Sequence, residues 1–167
     1  MAALARMMQV AVIGAGDCID EEYQAAERVG GLFADHHVIL TCGGLGGVME
    51  AAAKGAHARG GTTVGIIPGE SGENHYCGIV IRTGMGHARN FILVQSADAV
   101  IAIGGSYGTL SEIAAALKMG KPVFRYHTLE IPGVVACDTP DTTVIRAVCA
   151  GGPSLTCHIP RDGQGLR

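Results

Sequence analysis

The stretch DAVIAIGGSYGTLSEIAAALKMG, residues 98–120, holds a strand, a glycine-rich turn and a helix in that order. Its first part, 98–104, is an apolar run that predicts a buried strand, and its last part, 109–120, predicts a helix. The small residues Gly104, Gly105, Ser106 and Gly108 lie where the two elements meet. This turn either only connects strand and helix or also holds the phosphate of a ligand.

The same alternation of apolar runs and helical segments extends along the chain and predicts an α/β fold. Strands are predicted at 9–14, 38–42, 62–68, 79–83, 98–104, 121–126 and 133–137, and helices at 21–37, 47–60, 87–97, 109–120 and 139–151. Near-continuous apolar strands separated by helices are typical of a Rossmann-like, doubly wound parallel sheet with helices on both faces. We therefore predict a single nucleotide- or phosphate-binding domain over 9–151, between an N-terminal tail, 1–8, and a C-terminal tail, 152–167.

Composition limits the classes of function. The 167 residues are 48% hydrophobic and 16% charged, which is typical of one globular domain. A net charge of −3 disfavours a general nucleic-acid binder. No apolar run reaches membrane-spanning length, and the first residues lack the apolar stretch of a secretory signal. We expect a cytoplasmic protein with neither a nucleic-acid nor a membrane partner.

The sequence contains an excess of glycine, with 26 residues, and the positions of these glycines are informative. Four clusters, at 14–16, 43–47, 84–86 and 104–108, each follow a predicted strand. The carboxyl ends of parallel strands share one edge of the sheet, which is where such folds bind ligands. A glycine turn that opens a helix binds anions through its backbone N–H groups and the helix dipole. Ser106 and Thr109 add hydroxyl donors to the turn formed by the cluster at 104–108.

Several established motifs are absent from the sequence. Gly14 and Gly16 begin a dinucleotide fingerprint, but position 19 is Ile and no acidic residue ends the second strand, so NAD binding is poorly supported. The Walker sequence does not occur, and the seven histidines lack metal-ligand spacing, so no metal site is expected. Cys42, just before a glycine cluster, either lines the site or fills the core as a small hydrophobe.

Glu112 and Arg89 are the candidate functional side chains. The sequence TLSE, 109–112, is a capping box in which Thr109 would cap the helix and Glu112 would reach back to it. A capping Glu112 could not contact a ligand equally well, so the two interpretations compete. Arg89 lies in the first turn of a predicted helix, where the dipole disfavours a cation. A bound anion would remove that penalty, which favours a ligand role for Arg89.

Three segments together resemble the LONELY GUY family, whose Rossmann-like members were long labelled lysine decarboxylase-like. They are GGLGGVMEAAAKGAHARGGTTVGIIPG, GMGHARN and GGSYGTLSEIAAALKMGKPV, and the resemblance covers roughly 9–151. The family motif is PGGxGTxxE, preceded by an Arg–Lys pair at a helix start. The resemblance gives no support to decarboxylation, because the chain shows no sign of a pyridoxal-phosphate lysine.

The resemblance implies a set of site residues. In cytokinin-activating members, which hydrolyse nucleoside 5′-monophosphates to a free base and ribose 5-phosphate, the catalytic positions match Arg89 and Glu112 here. The glycine turns of those members hold phosphate and ribose. We add the residues of the other glycine clusters to those that match the family. The predicted ligand-binding residues are then Gly14, Gly43, Gly44, Gly46, Gly47, Met85, Gly86, Gly105, Ser106, Tyr107, Gly108 and Thr109.

The sequence departs from the hydrolase pattern in three places, where Gly104 replaces Pro, Ser106 replaces Gly and Asn90 replaces Lys. With these replacements the sequence resembles the subgroup of molybdenum cofactor carrier proteins, which bind a phosphorylated pterin and catalyse no reaction on it. The expected function is a carrier of molybdenum cofactor or of an AMP-like nucleotide that needs no other cofactor. The alternatives are a phosphoribohydrolase and a structural oligomer with tight glycine turns. By resemblance we also expect a homo-oligomer, a dimer or tetramer.

Overall fold

The structure is a computed structural model that describes residues 6–151, so the predicted tail 152–167 and most of the tail 1–8 lie outside it. The strands are β1 (Gln9–Gly14), β2 (Ile39–Cys42), β3 (Thr63–Ile67), β4 (Ile79–Arg82), β5 (Ala99–Ile103), β6 (Val123–Tyr126) and β7 (Val135–Ala136). The helices are α1 (Asp20–Asp35), α2 (Val48–Ala58), α3 (Arg89–Ser96), α4 (Tyr107–Lys118) and α5 (Pro140–Gly151). A 3-10 turn, Gly86–Ala88, leads directly into α3.

The strands form one parallel sheet in the order β4-β3-β2-β1-β5-β6-β7. The strands from β1 to β4 proceed toward one edge, and those from β5 to β7 proceed toward the other. The order therefore reverses between β1 and β5, which pair from Val10 opposite Ala99 to Gly14 opposite Ile103. The predicted α/β, doubly wound parallel fold is confirmed, and its crevice lies beyond Gly14 and Ile103.

Alternate side chains of the central strands pack into two separate hydrophobic cores, one on each face of the sheet. On one face, Val10 and Val12 pack in a buried cluster with side chains of α1, α2 and α5. On the other face, Ala11 and Ile13 pack in a cluster with side chains of α3 and α4. Successive side chains of a strand point to opposite faces, so this division shows helices on both faces, as predicted.

The edge strand β4 is only partly covered by the helices. Ile79 and Ile81 are 51% and 44% exposed. Ile81 pairs with Ile66, which is buried against α3 and α4, so Ile81 faces the same side of the sheet. The short helix α3 leaves this end of the sheet open. Among residues 6–151, every helix is too short or too polar to cross a bilayer.

Candidate functional site

A cleft of about 180 Å³ lies at the carboxyl ends of β1 and β5, where the strand order reverses. Its walls come from the β1–α1 turn, α2, the start of α3 and the β5–α4 turn. The lining residues are Gly14, Ala15, Gly16, Met49, His87, Arg89, Asn90, Ser106, Gly108, Thr109 and Glu112. The fold thus brings four separate segments of the chain to one concave surface.

Arg89 is buried in this cleft with unused hydrogen-bond donors. It is the first residue of α3, and its side chain is 8% exposed. Its Nε and Nη1 atoms have no hydrogen-bond partner within residues 6–151. Buried donors in native proteins are nearly always paired, and leaving one unpaired costs about 1–3 kcal/mol. Arg89 lines the cleft, so its guanidinium is placed beside the space that an anionic or carbonyl oxygen of a ligand would occupy.

Glu112 is the charged group nearest to this guanidinium. Its Oε1 lies 3.8 Å from Nη1 of Arg89, too far for a hydrogen bond, and its side chain is 9% exposed. Burial raises the pKa of Glu112 to about 7, although the Arg89 charge opposes that rise. Burial also lowers the pKa of Arg89. Near neutral pH Glu112 is present both as a carboxylate that accepts hydrogen bonds and as an acid that donates one.

The predicted capping box is wrong. Helix α4 begins at Tyr107 after an N-cap at Ser106, and no side chain caps it. Thr109 is therefore the third helical residue, and Glu112 lies in the second turn, facing Arg89. The physical reason is the turn before the helix, where Gly104 and Gly105 adopt φ of +55° and +99°. This left-handed backbone lets the chain enter the helix three residues earlier than TLSE predicts.

Two predicted ligand-binding glycines are required by packing within the protein itself. A Cβ atom on Gly43 would lie 2.5 Å from Nη1 of Arg89 and 2.6 Å from Sδ of Met49. A Cβ atom on Gly105 would lie 2.1 Å from Oγ1 of Thr109, on a backbone with φ of +99°. Gly43 thus leaves room for the Arg89 guanidinium, and Gly105 permits the close β5–α4 turn.

The cleft brings together only part of the predicted site. Arg89, Glu112, Gly14, Ser106, Gly108 and Thr109 line it. The predicted residues outside its lining are Gly43, Gly44, Gly46, Gly47, Met85, Gly86, Gly105 and Tyr107. The Tyr107 side chain points to solvent and is 87% exposed, and Met85 is 50% exposed.

Ala15, Gly16 and Met49 also line the cleft and were absent from the predicted set. Gly16 belongs to the first glycine cluster and could have been included on that ground. Met49 follows the second cluster at the start of α2, but nothing in the sequence distinguishes it from a core methionine. His87 and Asn90, within the GMGHARN segment, complete the wall beside Arg89.

The loop 68–78 is bound to the β2–α2 turn, residues 43–47, beside the cleft. The Asn74 backbone N–H donates to the Gly44 carbonyl at 2.8 Å, and its side-chain Nδ2 donates to the Leu45 carbonyl at 2.9 Å. On the other side, Arg82 Nε donates to the Glu70 carbonyl at 2.8 Å. These bonds fix the loop relative to the turn.

Comparison with known proteins identifies relatives over most of the chain. The family model described as the SLOG cluster4 family matches residues 7–148. An uncharacterized protein of Archaeoglobus fulgidus is 50% identical over 141 residues, covering 83% of this chain and 93% of its own length.

Two solved structures share both fold and sequence with this chain. The molybdenum cofactor binding protein of the phototrophic bacterium Rippkaea orientalis is 33% identical, with a TM-score of 0.80 over 86% of this chain and 98% of its own. The Moco carrier protein of Chlamydomonas reinhardtii is 34% identical, with a TM-score of 0.78 over 86% of this chain and 96% of its own. These matches confirm the predicted resemblance, including its similarity to the carrier subgroup.

Proposed function

The chain belongs to the SLOG cluster4 family, and from this premise we propose that it is a carrier that binds a phosphate-bearing, nucleotide-like ligand. The ligand is molybdenum cofactor or a nucleoside monophosphate. One observation carries the proposal, namely the buried Arg89 in the cleft where the strand order reverses, whose Nε and Nη1 atoms make no hydrogen bond within residues 6–151. The similarity to molybdenum cofactor carrier and binding proteins supports it.

The cleft has separate groups for the two parts of such a ligand. The phosphate is bound at the start of α4, where Ser106, Gly108 and Thr109 line the cleft and the helix dipole favours negative charge. Arg89 pairs with the phosphate or with a neighbouring carbonyl oxygen. Glu112 accepts or donates a hydrogen bond to the heterocycle or ribose, because burial raises its pKa to about 7. No resident cofactor is needed for this binding.

Two features favour a carrier over a hydrolase. Gly104, at the position of the motif's proline, has φ of +55°, which a proline ring cannot adopt. The β5–α4 turn therefore has a backbone conformation unavailable to PGGxGTxxE. Asn90, at the position of the motif's lysine, lines the cleft and is 8% exposed. The cleft thus has one cation fewer to stabilise a phosphate or a departing base.

The second candidate is a phosphoribohydrolase, which the Arg89–Glu112 pair favours. Cleavage of an N-glycosidic bond develops positive charge on the sugar, and a carboxylate 3.8 Å from Arg89 could stabilise that charge or position a water molecule. Arg89 would then orient the phosphate or ease the departure of the base. Neither step requires a metal ion or makes the chain a lysine decarboxylase.

Binding and turnover are measured together to separate these candidates. Calorimetry with AMP and with molybdenum cofactor gives affinities for wild type, Arg89→Ala and Arg59→Ala, while chromatography detects free adenine. We expect Arg89→Ala to lose at least tenfold in affinity and Arg59→Ala to match wild type, because Arg59 is about half exposed and pairs with Asp35 outside the cleft. Thermal melts establish that each variant is folded.

Three results would change the proposal. Failure of wild type to bind either ligand, or an unchanged affinity in folded Arg89→Ala, would refute the binding site. Adenine released by wild type and not by Glu112→Gln would establish the hydrolase instead.

We propose further that the protein is a cytoplasmic homo-oligomer, a dimer or tetramer. The exposed apolar side chains Ile79 and Ile81 on β4, with Phe91 and Ile92 on α3, form the surface for a second copy. Light scattering coupled to size exclusion should give a multimer that Ile81→Glu dissociates. Ile145→Glu, at a similarly exposed position on α5, is the control and should leave the multimer intact. A monomeric wild type would refute the proposal.

A further inference from the structure

Two cysteines from different segments meet beside the cleft. Cys42 ends β2 and is fully buried, whereas Cys77 belongs to the loop 68–78 and is half-buried. Cys42 is the register partner of Gly65 on β3. The missing side chain of Gly65 leaves the space that Cys77 fills, because a Cβ on Gly65 would lie 2.7 Å from Cys77 Sγ. Cys77 also packs against the buried apolar cluster that contains Cys42, so the two side chains lie side by side across this gap.

The two sulfur atoms have different environments. Interaction with the neighbouring Cys42 thiol lowers the pKa of the Cys77 thiol. The same interaction, together with burial, raises the pKa of Cys42 well above its ordinary value. The more acidic thiol is also the more exposed one, and thiolate character with exposure determines which cysteine an oxidant attacks. A second thiol already in contact is the arrangement that resolves an oxidised cysteine into a disulfide.

We propose that Cys42 and Cys77 form a peroxide-reactive oxidation site whose disulfide links the loop 68–78 to the end of β2 and weakens ligand binding in the adjacent cleft. The Cys77 thiolate attacks hydrogen peroxide, the O–O bond breaks, and sulfenic acid and hydroxide form. The Cys42 thiol then attacks the sulfenic sulfur, and an S–S bond forms as water leaves. In total two thiols lose two hydrogens while one peroxide becomes two waters.

The disulfide acts on the cleft through the residues that follow Cys42. In the reduced protein Cys42 Sγ accepts a hydrogen bond from the Gly44 N–H at 3.4 Å. Closing the S–S distance to about 2.05 Å shifts Cys42 Sγ and so disturbs its contact with that amide. Gly43, between them, is packed against the Arg89 guanidinium with no space for a side chain. Movement of Gly43 therefore displaces Arg89, on which the proposed binding depends.

The first test is chemical and needs no ligand. The full chain is treated with hydrogen peroxide, and its peptides are mapped with and without reduction. We expect a crosslinked peptide pair containing Cys42 and Cys77 that dithiothreitol separates. Cys42→Ser should stop at a Cys77 sulfenic acid that dimedone traps. Cys18→Ser, which removes a partly exposed thiol outside the pair, should form the crosslink as wild type does. Absence of the crosslink in wild type would overturn the oxidation site.

The second test measures AMP affinity by calorimetry before oxidation, after oxidation and after reduction. This part alone rests on the proposed function. We expect oxidation to weaken AMP binding at least threefold, reduction to restore it, and Cys77→Ser to show no such change. An equal affinity in the two redox states of wild type would overturn the coupling to the cleft. Crosslinking without AMP binding in either state would refute AMP as the ligand while supporting the oxidation site.

Discussion

Replacing Glu112 with glutamine should make the protein more stable at alkaline pH and leave its stability at acidic pH nearly unchanged. The carboxyl is buried, with its nearest counter-charge 3.8 Å away and not hydrogen-bonded to it. Ionising it in the folded protein is therefore unfavourable. Glutamine has nearly the shape of the protonated acid and never ionises, so the variant avoids this cost.

The magnitude follows from the pKa of Glu112, which rises from 4.5 to about 7. At about 1.4 kcal/mol per pH unit, that rise corresponds to on the order of 3 kcal/mol. Because the folded state holds the proton more tightly than the unfolded state, the stabilisation by the protonated form is complete below about pH 4.5. It is lost as pH rises and is gone above about pH 7. Wild type should thus lose on the order of 3 kcal/mol relative to Glu112→Gln across this interval.

Urea unfolding followed by circular dichroism between pH 4.5 and pH 8.5 measures this difference. The two proteins should coincide at the acidic end and diverge as pH rises. Glu130→Gln is the control, since the Glu130 side chain is 92% exposed, and its stability should follow that of wild type. A constant difference between wild type and Glu112→Gln over the whole range would show that folding does not raise the pKa of Glu112, and would refute the argument.

Three further predictions concern stability, each measured by urea unfolding. Gly105→Ala should lower the free energy of unfolding by about 1–3 kcal/mol, because φ is +99° there and the new methyl group has no space. The control is Gly108→Ala, which should leave that free energy unchanged or raise it, because no atom lies within 4 Å of the new methyl group. Ile101→Ala should cost about 2–5 kcal/mol because the side chain is fully buried, whereas Ile79→Ala, at 51% exposed, should cost less than half as much. Asn74→Ala should lower the free energy of unfolding by about 1–3 kcal/mol and increase proteolysis within the loop 68–78, because its side chain donates to the Leu45 carbonyl of the β2–α2 turn. Unchanged cleavage of the loop would contradict that role.

The fold class was predictable because the sequence pattern that indicates it lies within short segments and repeats along the chain. Apolar runs alternating with helical segments determined the class, and every predicted strand is present within a few residues of its observed bounds. The sequence singled out Arg89 because a cation at a helix start conflicts with the dipole, and the structure places it at the start of α3 in the cleft. That conflict is local, so the sequence alone displays it.

The errors and omissions concern contacts between distant segments. The TLSE sequence has the form of a capping box, but the glycine turn before it moves the helix start and directs Glu112 to Arg89. The meeting of Cys42 with Cys77 depends on an empty position at Gly65 in a third segment. Local sequence patterns do not encode such contacts.

The reversal of strand order between β1 and β5 also determines when the cleft can form. Val10 pairs with Ala99, and Gly14 pairs with Ile103, so the central pairing cannot exist until the chain has been synthesised through Ile103. Pairings of such high contact order form slowly and leave a strand edge open until they close. During synthesis, β1 to β4 must wait with one side of β1 unpaired. A ligand that binds across this junction cannot assist the folding of β1 to β4 and acts only once β5 has paired with β1, by holding the two halves of the sheet together.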